Sequence, residues 1–118
     1  MIAAGIGFRA GAGVASLRDA LTKAGNGAQL LCTATDKASS AAFLELAAEI
    51  GLPTRAIPPE TLADQAVLTH SPRVAALFGT GSLAEAAALA GAGPGARLLG
   101  PRVISDDGKA TAALAIGA

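Results

Sequence analysis

The stretch Met1-Ile2-Ala3-Ala4-Gly5-Ile6-Gly7-Phe8-Arg9-Ala10-Gly11-Ala12-Gly13 opens the chain with an apolar run and then places four glycines and an arginine within nine residues. Met1 to Ile6 has the length and character of a buried strand, and the glycines after it predict a strand-to-helix loop. Glycine admits positive φ and lets backbone N–H groups approach a ligand, while the first turn of a following helix adds partial positive charge. Arg9 contributes a planar fork of donors suited to a carboxylate or phosphate. The spacing G-x-G-x-x-x-G-x-G misses the dinucleotide fingerprint by one residue, and no G-x-x-x-x-G-K-[ST] motif occurs. Two readings stay open for the segment itself, an anion-binding loop and a tight turn with no ligand.

Outward from this loop the pattern continues as strand and helix in alternation. Ser16 is placed to cap a helix carrying Leu17, Ala20, Leu21 and Ala24 on one face, with Gly25-Asn26-Gly27 as its stop. Gln29 to Ala34 reads as a second strand, and Ser39 or Ser40 starts a second helix with Phe43, Leu44, Ala47 and Ile50 on its apolar side. Thr54 to Ile57 gives a third strand, so the order is β-α-β-α-β with parallel neighbours and right-handed crossovers. Pro59 begins a short helical turn, Ser71-Pro72 a capped helix, and Ser82 with Glu85 a capping box. Near the end, Ala96 to Leu99 and Ala110 to Ile116 are strand-like, with Asp107-Gly108 signalling a hairpin. The expected architecture is α/β: a three-layer α/β/α domain over residues 1–118, with an open mixed sheet of about five strands, parallel in its first half and closed by an antiparallel hairpin.

Composition sets bounds on function. The chain has 118 residues, 52% of them hydrophobic, yet 31 are alanine and only three are aromatic, which predicts a thin, closely packed core. Nine basic and nine acidic residues balance, and no block of like charge runs along the chain. That pattern, with no Tyr or Trp to stack bases, argues against a nucleic-acid partner. No apolar run has the length of a bilayer span and no basic n-region precedes one, so the expected setting is cytoplasmic and away from the membrane. Cys32 is the only cysteine, so it forms no internal disulfide and no cysteine metal cluster, and it should pack as a small apolar residue. Neither a metal nor a cofactor is expected.

Polar residues at strand ends and helix starts form the candidate site: Arg9, Thr33, Thr35, Asp36, Lys37, Thr69, Ser71, Ser82, Glu85, Arg102 and Thr111. Asp36 and Lys37 can be a surface ion pair or ligand contacts, but a lysine gains nothing from a helix N-terminus and its place there wants a reason. Arg73 suits a solvated face. His70, the only histidine, can be structural or catalytic, and Glu85 can be a capping partner or a general base.

The combination of Gly5-x-Gly7-x-Arg9, Lys37 before a helix, Thr69-His70-Ser71, the segment Gly79 to Leu89 with its S-x-A-E-A-A-A-L core, and the closing Thr111-Ala112-Ala113-Leu114-Ala115 resembles the CobE family, which matches the C-terminal domain of CbiG. The resemblance spans essentially the whole chain and departs from the family's usual loop at Phe8 and Ala10, and at Arg102, where lysine is common. It implies a role in cobalamin biosynthesis with a corrinoid or precorrin intermediate as partner, and other enzymes of that pathway as further partners. Such rings are apolar macrocycles fringed with carboxylates. The resemblance therefore implies a ligand site made of Gly7, Arg9, Gly11, Thr33, Lys37, Ser71, Ser82 and Arg102, in an accessory or carrier protein. Two alternatives accompany it: a hydrolase opening the precorrin ring lactone, with His70 and Glu85 as candidates, and a module holding pathway enzymes together.

Overall fold

The computed structural model describes residues 1–118. In chain order, β1 spans Ile2–Phe8, α1 Val14–Ala24, β2 Leu30–Ala34, α2 Ala41–Ile50 and β3 Thr54–Ile57. Then follow α3 at Pro59–Ala63, α4 at Pro72–Phe78, α5 at Leu83–Ala92, β4 at Arg97–Leu98, β5 at Val103–Ile104 and β6 at Ala110–Ile116. Six strands form one sheet in the order β3-β2-β1-β6-β4, with β5 also on the outer side of β6. β1, β2 and β3 are parallel, and β6 runs antiparallel to β1 over its whole length, from Ile2 opposite Ile116 to Phe8 opposite Ala110. The mixed α/β sheet is the expected one, with six strands in place of five because the second edge is split.

That split has a local cause. β4 pairs with Ile116 and Ala115 and β5 with Ala112 and Thr111, so both belong to one edge interrupted at Gly100-Pro101-Arg102. Proline has no N–H to give a ladder, and edge strands are where a sheet tolerates it. After the interruption the turn Ser105 to Gly108 reverses the chain, with Gly108 at φ +73° and the Gly108 N–H bonded to the Ser105 carbonyl at 2.9 Å.

Alternation along β1 divides the core. Ala4 and Ile6 face α1 and α2, where they pack with Leu17, Leu31, Phe43, Leu46 and Leu114. Ala3 faces the other way, into a cluster with Cys32, Ile57, Leu62 of α3, and Leu83, Ala86 and Ala87 of α5. The α2 stripe is narrower than its spacing predicts. Phe43, Leu46 and Ala47 are buried, whereas Leu44 and Ile50 are exposed, since only the side of α2 turned to the sheet and α1 finds a partner.

Two sequence expectations at the amino end change. β1 does not stop at Ile6 but continues through Gly7 to Phe8, so Gly5 and Gly7 are strand residues and the loop is Arg9 to Gly13. A Cβ on Gly5 would lie 1.9 Å from the Ala84 carbonyl oxygen, so this glycine serves the close approach of α5. The positive-φ position in the loop is Gly11, at +86°. Gly13, not Ser16, is the N-cap of α1. Ser16 falls inside the helix and is buried, and its hydroxyl donates to Asp107 Oδ2 at 2.5 Å, tying α1 to the β5–β6 turn.

Candidate functional site

The carboxyl ends of β1 and β2 and the start of β6 meet at one end of the sheet. A cleft of about 500 Å³ opens there. Its floor and walls include Phe8, Val74, Leu77, Phe78, Leu83 and Ile104. Five cations stand around them, Arg9, Lys37, Arg73, Arg102 and Lys109, against one carboxylate, Asp36. None of the five has a carboxylate within ion-pairing distance, because the ion pairs of the chain involve only Arg18 and Lys23. A chain with no net charge thus holds more than half of its nine basic residues at one opening. Leu77 and Ile104 are 65% and 49% exposed, so apolar surface is offered alongside the charge.

Each cation arrives from a different segment. Arg9 leaves the end of β1, and its N–H bonds the Lys109 carbonyl at 3.0 Å, which brings Lys109 beside it. Lys37 follows β2. Its Nζ donates to the Phe8 carbonyl at 2.7 Å and lies 4.9 Å and 5.6 Å from the ring centres of Phe8 and Phe78. Lys37 lies in the turn before α2, whose N-cap is Ser40, and its place there has its reason in cation–π contacts with both rings, not in an ion pair with Asp36. Phe8 is backed by Phe43, stacked with centroids 6.4 Å apart.

Of the residues singled out from the sequence, Gly7, Arg9, Asp36, Lys37, Ser71, Arg102 and Thr111 line this cleft. Gly11, Thr33 and Ser82 do not. Thr33 is buried and its hydroxyl donates to the Ile6 carbonyl at 2.8 Å; Ser82 is buried and accepts the Glu85 N–H at 3.3 Å as the cap of α5. Gly11 is exposed on the loop outside it. Sequence reasoning missed Arg73 and Lys109. Arg73 is in the first turn of α4, where the helix dipole disfavours a cation, the same signal that drew attention to Lys37. Lys109 joins the site only through the non-local pairing of β6 with β1.

The two candidate catalytic residues are not presented to the cleft. His70 is exposed and outside its lining. Glu85 is 0% exposed, and its side chain does not return to Ser82 as a full capping box requires. Its oxygens instead accept from the N–H groups of Leu68, Thr69 and Arg102 and from the Thr69 hydroxyl. Burial pushes its pKa up, but these hydrogen bonds outweigh that and hold it below the usual carboxylate range. Both of its oxygens are thus occupied by donors of the chain. Burial pushes the Cys32 thiol up to about 12, consistent with its packing role. No group of three or more His, Cys, Asp or Glu residues is gathered as a metal site, and no single helix is long and apolar enough to cross a membrane.

Fold and cleft together define an α/β domain with a cationic, apolar-floored cleft at the carboxyl ends of its parallel strands. The family described as cobalamin synthesis G C-terminus matches residues 2–115. The chain belongs to that family. Among solved structures it is similar to CobE, a protein from the cobalamin (vitamin B12) biosynthetic pathway, at 32% identity and TM-score 0.87, over 98% of this chain and 89% of that one. It is also similar to the cobalamin biosynthesis protein chiG from Agrobacterium tumefaciens, at 32% identity and TM-score 0.73, over 100% and 99% of the two chains. A cobalamin biosynthesis protein G homolog from Sulfolobus solfataricus shares the fold alone, at 20% identity and TM-score 0.71, with this chain spanning 36% of its length. A search of the curated proteins found no match. The chain is thus of the CobE/CbiG C-terminal type of cobalamin biosynthesis protein.

Proposed function

We propose that the chain binds a corrinoid or precorrin intermediate of cobalamin biosynthesis in the cleft, as an accessory or carrier protein. The observation that carries this reading is the set of five unpaired cations, Arg9, Lys37, Arg73, Arg102 and Lys109, around an apolar floor. A flat macrocycle fringed with acetate and propionate groups needs both halves of that arrangement: apolar surface for the ring, and separated cations for carboxylates that point outward in several directions. A pyrophosphate would need its donors gathered at one point. The exposed His70 and the fully engaged Glu85 favour binding over lactone hydrolysis by this chain.

Titration with hydrogenobyrinic acid, followed by its visible spectrum, tests the reading. Saturable binding at micromolar concentration, weakened by salt, is expected. The double variant Arg9→Glu, Arg73→Glu should abolish it while leaving the thermal midpoint nearly unchanged, because neither side chain is bonded to another residue of the chain. Absence of binding to the unaltered protein at micromolar concentration would sink the proposal.

A further inference from the structure

Glu85 is a fully buried carboxylate that reaches no cation and does not line the cleft. Its Oε1 accepts the N–H of Leu68 at 2.7 Å and of Thr69 at 2.9 Å. Its Oε2 accepts the Thr69 hydroxyl at 2.6 Å and the N–H of Arg102 at 2.8 Å. These donors belong to two segments that share no backbone hydrogen bond with each other. The first leads into α4, which carries Arg73, Val74, Leu77 and Phe78 to the cleft; the second carries Arg102 and Ile104. α4 buries none of its seven residues, so little of its own packing fixes it. Its ends are pinched together by the Ser71 N–H to Gly81 carbonyl bond at 2.8 Å. Arg102 follows the break in the edge strand, where its N–H has left the ladder and takes Glu85 as its acceptor.

We infer that Glu85 is a positioning residue for the ligand site: without touching the ligand, it fixes the α4 wall and the Arg102 wall at the spacing that lets their cations meet separate carboxylates. This rests on the corrin-acid reading above. The geometry demands a carboxylate. Four donors converge, and only an acceptor-only group satisfies them all; an amide would turn its own N–H₂ toward at least one, leaving buried donors unpaired. Glutamate on the rigid first turn of α5, itself locked onto β1 through Gly5, gives both walls one common reference point.

The test places spin labels at Leu77→Cys on the α4 wall and Ile104→Cys on the Arg102 wall, both exposed positions, and compares distance distributions with Glu85 intact and with Glu85→Gln. The variant should broaden the distribution, speed amide exchange at Leu68, Thr69 and Arg102 but not in β1 or β2, and weaken hydrogenobyrinic acid binding about tenfold or more. Saturating ligand should restore the original distance, and since ligand also rescues a merely destabilised fold by mass action, it is the unchanged exchange of β1 and β2 that separates loosened walls from general destabilisation. Thr69→Val removes one of the four bonds and keeps the charge, so it should shift every readout in the same direction by less, and it carries the test if Glu85→Gln does not fold. Affinity lost with an unchanged distance distribution, or a broadened distribution with affinity intact, overturns the inference. If the unaltered protein binds no corrin acid, the binding reading fails, and the distance and exchange measurements alone decide whether Glu85 fixes the two walls.

Discussion

On the face of the sheet covered by α1 and α2, the core is filled by large side chains, Phe43, Leu17 and Leu46 against Ile6 and Leu31; on the α5 face, alanine and glycine do the same work at much shorter range. Eight of the ten residues of α5 are buried, and between this helix and the sheet lie Ala3, Gly5, Cys32 and Ala115. The first face tolerates adjustment because α2 has exposed sides and can settle. The second has no slack, since backbone meets backbone. The cleft depends on the second face: the position of α5 fixes Leu83 at its floor and Glu85 behind its walls. The alanine and glycine at the contact of α5 with β1 are therefore a means of bringing a helix close enough to build the site, while Phe43, Leu17 and Leu46 fill the opposite side.

The sharpest way to break this contrast is Gly5→Ala. The added methyl would sit 1.9 Å from the Ala84 carbonyl oxygen and 2.5 Å from the Ala88 nitrogen, both backbone atoms, so α5 must move bodily. A cost at or beyond about 3 kcal/mol, the upper end for overpacking, is expected in urea unfolding. Loss of ligand binding should accompany it even where the variant stays folded. A variant that melts normally and binds normally would contradict the close-packed role of α5. Leu46→Ala is the counterpart on the other face, where the residue is fully buried on α2. Its cost should be about 2–3 kcal/mol, in the lower part of the range for such truncations because α2 can close on the gap. Binding below the melting transition should be unchanged, and a parallel loss of affinity would mean that the two faces are not independent.

Gly91→Ala probes the same close face where a side chain can yield. Its methyl would lie 2.3 Å from Cys32 Sγ and 3.3 Å from the Ala3 Cβ, so the main obstacle is one sulfur atom. We expect about 1–2 kcal/mol of destabilisation, read from denaturant midpoints. Cys32→Ala in the same chain should recover most of it, whereas no single truncation of a side chain should rescue Gly5→Ala. Equal rescue at both positions would show that the distinction between backbone and side-chain contact has been misjudged.

Much of the fold was legible because its signals are local. The strands at Gln29 to Ala34 and Thr54 to Ile57, the Ser71-Pro72 start of α4 and the Asp107-Gly108 reversal each follow from a few adjacent residues. Gly5 and Gly7 misled because a glycine needed for positive φ and one needed for close packing look alike until the helix that presses on them is placed. Ser16 looked like a cap for a similar reason: its true partner, Asp107, is 91 residues away. The site was half legible. Arg9 and Lys37 stand at strand ends, where an α/β sheet puts its ligands, but the clustering of five cations depends on the antiparallel return of β6 and on the excursion of α4. A balanced count of charges along the chain conceals that gathering. Glu85 kept its capping position relative to Ser82 while its carboxylate served two distant loops, which no spacing rule along one helix reveals.

The smallest expected effect concerns the α1 side, through Asp107 at the β5–β6 turn. Its carboxylate accepts from the hydroxyls of Ser16 and Ser105 and from the Lys109 N–H, and these bonds hold its pKa at about 2 against an ordinary 3.8. A carboxyl with a depressed folded-state pKa stabilises the fold fully above its unfolded value and loses that contribution as pH falls through the folded one. The window for Asp107 is thus from about pH 4 down to about pH 2. Thermal midpoints of the unaltered chain and of Asp107→Asn should differ by a small, constant amount above pH 5 and converge as pH approaches 2. Glu85, also held below its ordinary value of 4.5, shapes the acid limb of both proteins alike, so subtracting the two curves isolates the turn on the α1 side from the clamp on the α5 side. A difference that stays constant down to pH 2 would show that the turn holds α1 through its shape alone and that the charge of Asp107 has no part in it.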